Sequence, residues 1–122
     1  MRVSLVIDCT DPDRLVPFWE KAMSYQLAVS LDGYRILVPG DGEPAGPALV
    51  LQPVPEPKVG KNRVHIDVHP VDVRAHIATL ERLGGRQVGE RVEAFGIWWQ
   101  TMSDPEGNEF CVVADVQDPT PS

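Results

Sequence analysis

Ten residues, Arg63 to Asp72 (RVHIDVHPVD), constrain the fold more than any other stretch. Val64, Ile66 and Val68 are apolar, and His65, Asp67 and His69 between them are polar. Side chains of a strand point alternately to opposite faces, so this alternation predicts one strand with two unlike faces. Pro70 and Val71 end it, and Asp72 stands where an N-cap belongs, ahead of the helical pattern VRAHIATLERLGG. A strand that runs straight into a capped helix is one βα unit. Its polar face has two readings. It is wet, or it lines a cavity, because imidazoles and carboxylates are the groups that move protons and bind metals.

The first half of the chain carries the same succession. Val3–Cys9 (VSLVIDC) predicts a strand, with Ser4, Val6 and Asp8 on one face. Asp11 followed by Pro12 starts a helix, and Leu15, Phe18, Trp19 and Ala22 make its apolar face. Pro17 removes one hydrogen bond, which predicts a kink or a loose first turn. Strands follow at Tyr25–Leu31 and Tyr34–Val38, joined by the hairpin signal Asp32-Gly33, and then at Ala48–Gln52. In the second half, Val73, Ile77, Leu80 and Leu83 make the helix face and Gly84-Gly85 stops it. Strands are expected at Arg86–Val92, Gly96–Met102 and Glu109–Ala114. Asp104 to Gly107 forms a tight turn with a bulge at Gly107, and Gln117–Ser122 is a frayed tail. Superposing Asp11 on Asp72 gives a repeat of about 61 residues. The expected fold is α+β: two tandem βαβββ modules forming a cupped mixed sheet with helices outside. Within one domain spanning residues 1–122, the modules cover about 1–53 and 63–116. The Pro-rich stretch 53–62 is a stiff connector, because Pro cannot donate to a ladder.

Composition narrows the function. The formal charge of −7 lacks the basic surface that nucleic acid demands, so a nucleic-acid partner is not expected. No apolar run approaches membrane-spanning length, and MRVSLVIDC is too short for a signal h-region; a cytoplasmic protein with no membrane association is expected. Cys9 and Cys111, in apolar contexts and without CxxC or zinc-type spacing, read as small reduced core residues.

Three stretches, CTDPDRLVPFWEKAMSY, NRVHIDVHPVDVRAHIATLERLGG and the closing SDPEGNEFCVV, resemble the vicinal oxygen chelate superfamily over roughly Arg2 to Ala114. That superfamily contains glyoxalase I, extradiol dioxygenases, fosfomycin-resistance transferases and bleomycin-binding proteins, and the chain looks most like its short glyoxalase-like domains. The resemblance implies four ligand positions in metal-using members, which fall here on Ser4, Gln52, His65 and Cys111. Only His65 is a good ligand as it stands, and Gln52 offers a carbonyl oxygen. Hard divalent ions want carboxylates, which these positions lack. No cofactor is therefore expected; a metal, if one bound, would use His65 and Gln52. The resemblance also implies a homodimer, since members often pair.

By alternation, Ser4, Asp8, His65, Asp67, His69, Glu109 and Cys111 share the cup-facing side. With the bulge at Gly107, Thr101 lies opposite Cys111, Trp99 faces the cup beside Val113, and Trp98 packs behind the sheet. His65 and Asp67 are candidate catalytic residues, as an acid–base pair. The alternative is a satisfied polar pair bonded to Arg63, Arg91 or Ser4. Ser4, Asp8, Gln52, His69, Trp99 and Cys111 are candidate ligand-binding residues. Two functions stay open. One is a binder that sequesters a small molecule without a metal. The other is a glyoxalase-like enzyme of lyase, isomerase or dioxygenase type, in which His65 and Asp67 act on a small polar metabolite.

Overall fold

In the computed structural model the described residues are 1–115, and the expected tail lies outside them. The chain divides into two compact units, Met1–Val59 and Gly60–Ser122. Each has a mixed sheet with one helix on one face.

In the first unit, β1 (Ser4–Cys9) leads into α1 (Pro12–Met23), and β2 (Tyr25–Leu31), β3 (Tyr34–Pro39) and β4 (Ala48–Pro53) follow. The strand order is β1-β4-β3-β2, with β1 parallel to β4 and the other pairs antiparallel. Asp11 caps α1 through its carboxylate, which accepts from the Arg14 N–H, and Pro12 takes the first helical position, where a missing N–H costs nothing. The helix runs without a break through Pro17 to Ser24, which closes it in the left-handed conformation. Leu15, Phe18, Trp19 and Ala22 are buried as the i, i+3, i+4, i+7 spacing predicts, together with Leu37, Leu49 and Leu51 from the sheet. At the rim of this layer Asp13 holds Arg35 through two contacts, Nε to Oδ1 at 2.7 Å and Nη2 to Oδ2 at 3.3 Å.

The second unit repeats the plan with breaks. Its elements are β5 (Asp67–Val68), α2 (Val73–Arg82), β6 (Arg86–Gln87), β7 (Val92–Ala94), β8 (Ile97–Ser103) and β9 (Glu109–Ala114). The order is β5-β9-β8-β6, with β7 also on β8 and β5 parallel to β9. Asp72 caps α2 by accepting from the Ala75 N–H, and Val73, Ile77 and Leu80 bury against the sheet residues Met102, Phe110 and Val112.

Two expected strands are corrected. The strand expected over Arg63–His69 shortens to Asp67–Val68, because its first residues have no strand beside them; one further bond runs from the Cys111 N–H to the Ile66 carbonyl. Arg86–Val92 is interrupted around Gly89, whose φ of +70° leaves the β region. The turn before β9 forms as expected. Asp104 is 1% exposed; its Oδ1 accepts from the Glu106 and Asn108 N–H groups, and its Oδ2 from the Asn108 amide, each at 2.9 Å.

The β2–β3 and β7–β8 hairpins share a design. Asp32 and Gly33 have φ of 50° and 86°, and Phe95 and Gly96 have 56° and 76°. Two central residues at positive φ make a type I′ turn, which suits Asp-Gly and not Phe-Gly. The left-handed conformation costs a bulky residue about 1–2 kcal/mol, and at 91% exposure the Phe95 ring recovers little of it by packing. Phe95→Asn is therefore expected to stabilise the protein by about 1 kcal/mol. Thermal unfolding checks this; a melting temperature that falls would contradict the turn assignment.

Candidate functional site

The candidate site lies in the second unit, on the face of its sheet opposite α2. The parallel β5–β9 pairing sets Asp67 beside Cys111. The antiparallel β8–β9 pairing sets Thr101 across from Cys111 and Trp99 across from Val113, as the turn register predicted. The segment before β5 is held by the Asn62 side chain, whose Oδ1 accepts from the Glu109 N–H at 3.3 Å.

These constraints gather three side chains. His65 Nδ1 is 3.5 Å from Asp67 Oδ1 and 4.0 Å from Cys111 Sγ, and ligand atoms of all three residues lie within 4.8 Å of one another. His65 and Asp67 are half exposed; Cys111 is buried. Beside them opens a cavity of about 310 Å³ lined by Lys61, His65, Val88, Thr101, Glu109 and Cys111. This is within the range of small-ligand pockets. Glu109 Oε1 is shut off from solvent and has no hydrogen-bond partner among the described residues. A carboxylate oxygen without a donor is under-satisfied.

Within the second unit, not every expected residue joins the cluster. Ser4, Asp8 and Gln52 belong to the first unit. There Asp8 pairs with Gln52 and Ser4 with Ala48, so Ser4 and Gln52 stand four positions apart along the strands, about 13 Å. His69 Nδ1 is bonded to Asp115 Oδ1 at 2.9 Å and takes no part in the cluster. Arg91, named above as a partner for the His65–Asp67 pair, is engaged by Glu93 at 3.0 Å and lies over Trp98. Trp98 is on the α2 side of the sheet, as expected, and Trp99 on the other, but Trp99 does not line the cavity. Sequence reasoning missed Lys61 and Val88 as lining residues; Lys61 comes from a loop, whereas Val88, whose N–H bonds the Thr101 carbonyl at 2.8 Å, falls in the strand expected over Arg86–Val92, and alternation from Thr101 could have placed it.

As a metal centre, the cluster offers imidazole nitrogen, carboxylate oxygen and thiol sulfur. This donor set suits a borderline ion such as zinc and not a hard one. His65, Asp67 and Cys111 would hold such an ion, which when bound supplies Lewis-acid polarisation of a ligand oxygen. In this cluster the donor beside His65 is Asp67.

Cys111 bears on the chemistry directly. Burial pushes its thiol pKa up; the Thr101 hydroxyl, 3.6 Å away, pulls it down, and the carboxylates of Asp67 and Glu109 raise it further. The resting group is a neutral thiol, a poor nucleophile. Asp67→Asn removes one of the charges that oppose ionisation, so the thiolate forms at lower pH. Alkylation of Cys111 by iodoacetamide, followed by peptide mass spectrometry, is expected to be slow at neutral pH and to accelerate with alkali. In Asp67→Asn the rise comes earlier, with a several-fold gain at mildly alkaline pH. An unchanged or slower rate would contradict the placement of Asp67 beside the sulfur.

Comparison with known proteins places this geometry. A family model described as "Glyoxalase-like domain" matches residues 4–113. Among solved structures, the manganese- and sulfate-bound fosfomycin resistance protein FosX from Listeria monocytogenes superposes with a TM-score of 0.76 at 13% identity, over 96% of this chain and 91% of that one. A glyoxalase/bleomycin resistance protein/dioxygenase from Nocardioides gives 0.70 at 16%, over 100% and 87%. A glyoxalase/bleomycin resistance protein/dioxygenase family enzyme from Burkholderia phytofirmans gives 0.71 at 14%, over 91% and 95%. No curated protein matches. At these identities the structural likeness speaks for the fold, and the family model extends it to nearly the whole length: the chain belongs to the glyoxalase-like domain family of the vicinal oxygen chelate superfamily.

Proposed function

We propose that this protein binds a small polar molecule, without a catalytic metal, in the cavity of its second unit. The observation that carries this reading is Glu109 Oε1, a sequestered carboxylate oxygen with no partner that belongs to a residue lining a 310 Å³ cavity. Folded proteins pair most of their buried polar atoms, so one left unpaired calls for an explanation, and a bound ligand supplies one here. Around it the cavity offers both signs of charge, with Lys61 against Glu109, and a half-exposed imidazole at its mouth. That lining orients a polar ligand. Cys111 takes the role of a neutral wall. Ser4, Asp8 and Gln52 carry no part of the proposal. The protein is proposed to act as a cytoplasmic homodimer; among the described residues no helix is long and apolar enough to cross a membrane.

One observation favours a second reading, that of an enzyme. The His65 Nδ1–Asp67 Oδ1 separation of 3.5 Å lets the carboxylate orient the ring, with Nε2 left to exchange a proton with a ligand. In that reading His65 is the acid–base group and Asp67 positions it.

Thermal shift separates these readings. A ligand that binds only the native state adds about 2.7 kcal/mol at about a hundred times its dissociation constant, a shift of several degrees for a domain of this size. The panel holds thiol adducts of oxoaldehydes, catechols, acyl thioesters and cationic natural products. Binding predicts at least one stabilising class, with the shift lost in Glu109→Gln. An enzyme predicts that His65→Ala abolishes turnover of a small carbonyl compound and retains the shift. A panel without any shift would sink both.

Metal content gives an independent check. Elemental analysis of protein incubated with zinc, nickel and manganese and then desalted is expected to find no stoichiometric ion. Tight binding by calorimetry that His65→Ala abolishes would overturn the metal-independent reading.

A further inference from the structure

The two units differ at one matched pair of positions. Asp13 is the second residue of α1 and Arg74 the second of α2. Arg35 is the second residue of the strand after the first type I′ hairpin, and Trp98 the second of the strand after the other. In the first unit these positions hold each other, carboxylate to guanidinium, at 2.7 and 3.3 Å. In the second unit the carboxylate is replaced by the cation Arg74 and the guanidinium by an indole. Between helix and sheet there is instead a recess of about 260 Å³, and Arg74 and Trp98 both line it.

The recess has a definite chemistry. Arg91 lines it as well, with its guanidinium carbon 4.6 Å from the centre of the Trp98 ring. Such stacking leaves the in-plane N–H donors of an arginine available at its edge; one already goes to Glu93. The facing acid, Glu81, accepts from the Gln87 amide at 3.2 Å. Arg74 and Arg91 bring two guanidinium groups to the recess, with the carboxylates of Glu81 and Glu93 beside them. Ile77 and Trp98 supply apolar surface. The indole Nε1–H of Trp98 is shut off from solvent and has no acceptor among the described residues. Gln100, 4% exposed, fixes the wall, its amide donating to the Gly89 and Thr101 carbonyls at 3.0 Å.

We propose that this recess binds a small carboxylate with an apolar body. The ligand's carboxylate takes the place that the Asp13 side chain fills in the first unit, between the N-terminal turn of the helix and the sheet. Arginine forks match carboxylates in two-point geometry, and the apolar body lies along Ile77 and the indole. The volume falls just under the roughly 300–1,000 Å³ of ordinary ligand pockets, so the ligand is of fragment size. The site is on the α2 face of the sheet, opposite the cavity proposed above, and its argument does not rest on that cavity.

Benzoate is the probe. It is titrated into the full chain while the three tryptophan indole N–H signals are followed by nitrogen-15 NMR, with Trp98 assigned by Trp98→Phe. A saturable shift of the Trp98 signal is expected, with a dissociation constant on the order of 1 mM for so small a ligand. Arg74→Asp, which installs the carboxylate of the first unit, and the milder Arg74→Gln and Arg91→Gln are each expected to weaken binding about tenfold or more, the loss of one charge-assisted contact. Spectral dispersion reports that each variant is folded. His65→Ala is expected to leave the titration unchanged. A Trp98 signal unmoved by benzoate would overturn the proposal. So would an equal response to neutral benzamide, or binding that survives Arg74→Asp and Arg91→Gln alike.

Discussion

The candidate site depends on one short parallel pairing. Only Asp67 and Val68 form the ladder with β9, extended by the bond from the Cys111 N–H to the Ile66 carbonyl. Without it, His65 and Asp67 would sit on an untethered loop far in sequence from Cys111 and Glu109. Two residues are a weak clamp, and the surroundings reinforce them. The Asp104 turn fixes where β9 begins, the Asn62 side chain catches the Glu109 N–H, and Asp72 caps the helix that follows β5. The rigid partner in this arrangement is β9, whose residues Phe110 to Ala114 are all buried. The half-exposed His65 and Asp67 sit on its less regular neighbour. A site made of one fixed wall and one adjustable wall suits a family in which one scaffold serves many ligands.

The electrostatics of that site argue against reading each polar residue as a catalyst. Cys111 is buried between carboxylates that oppose its ionisation, the reverse of what an activated thiol needs. The same carboxylates make the cavity receptive to donors. Lys61 then supplies the opposite sign at another part of the lining. Burial, charge and the unpaired Glu109 oxygen are what support the proposed recognition of a polar ligand, and the His65–Asp67 contact is what supports the second, enzymatic reading.

Much of the fold was legible because its signals are local. Asp11-Pro12 and Asp72 mark helix starts by hydrogen bonds made within a single turn, and Asp104 to Gly107 sets the β8–β9 register because a bulge at glycine leaves one pairing. That register correctly divided Trp98 from Trp99. The extent of β5 was not legible. Alternation reports an extended chain, whereas a strand also needs a partner, and residues 63–65 have none assigned. The site was legible in part. His65, Asp67 and Cys111 could be found by alternation and register, and Val88 lies opposite Thr101 where the same register puts it, but Lys61 arrives from a loop whose path no pattern encodes. Ser4 and Gln52 were named from family positions, and the β1–β4 register sets them at opposite ends of their strands.

The most direct measurement is an experimental structure of the protein soaked with whichever compound gives the largest thermal shift. The account predicts that the compound occupies the second unit's cavity, with a donor within about 3.2 Å of the Glu109 carboxylate and His65 at its edge. A cavity closed by side chains, with Glu109 bonded internally and the compound bound elsewhere, would contradict it.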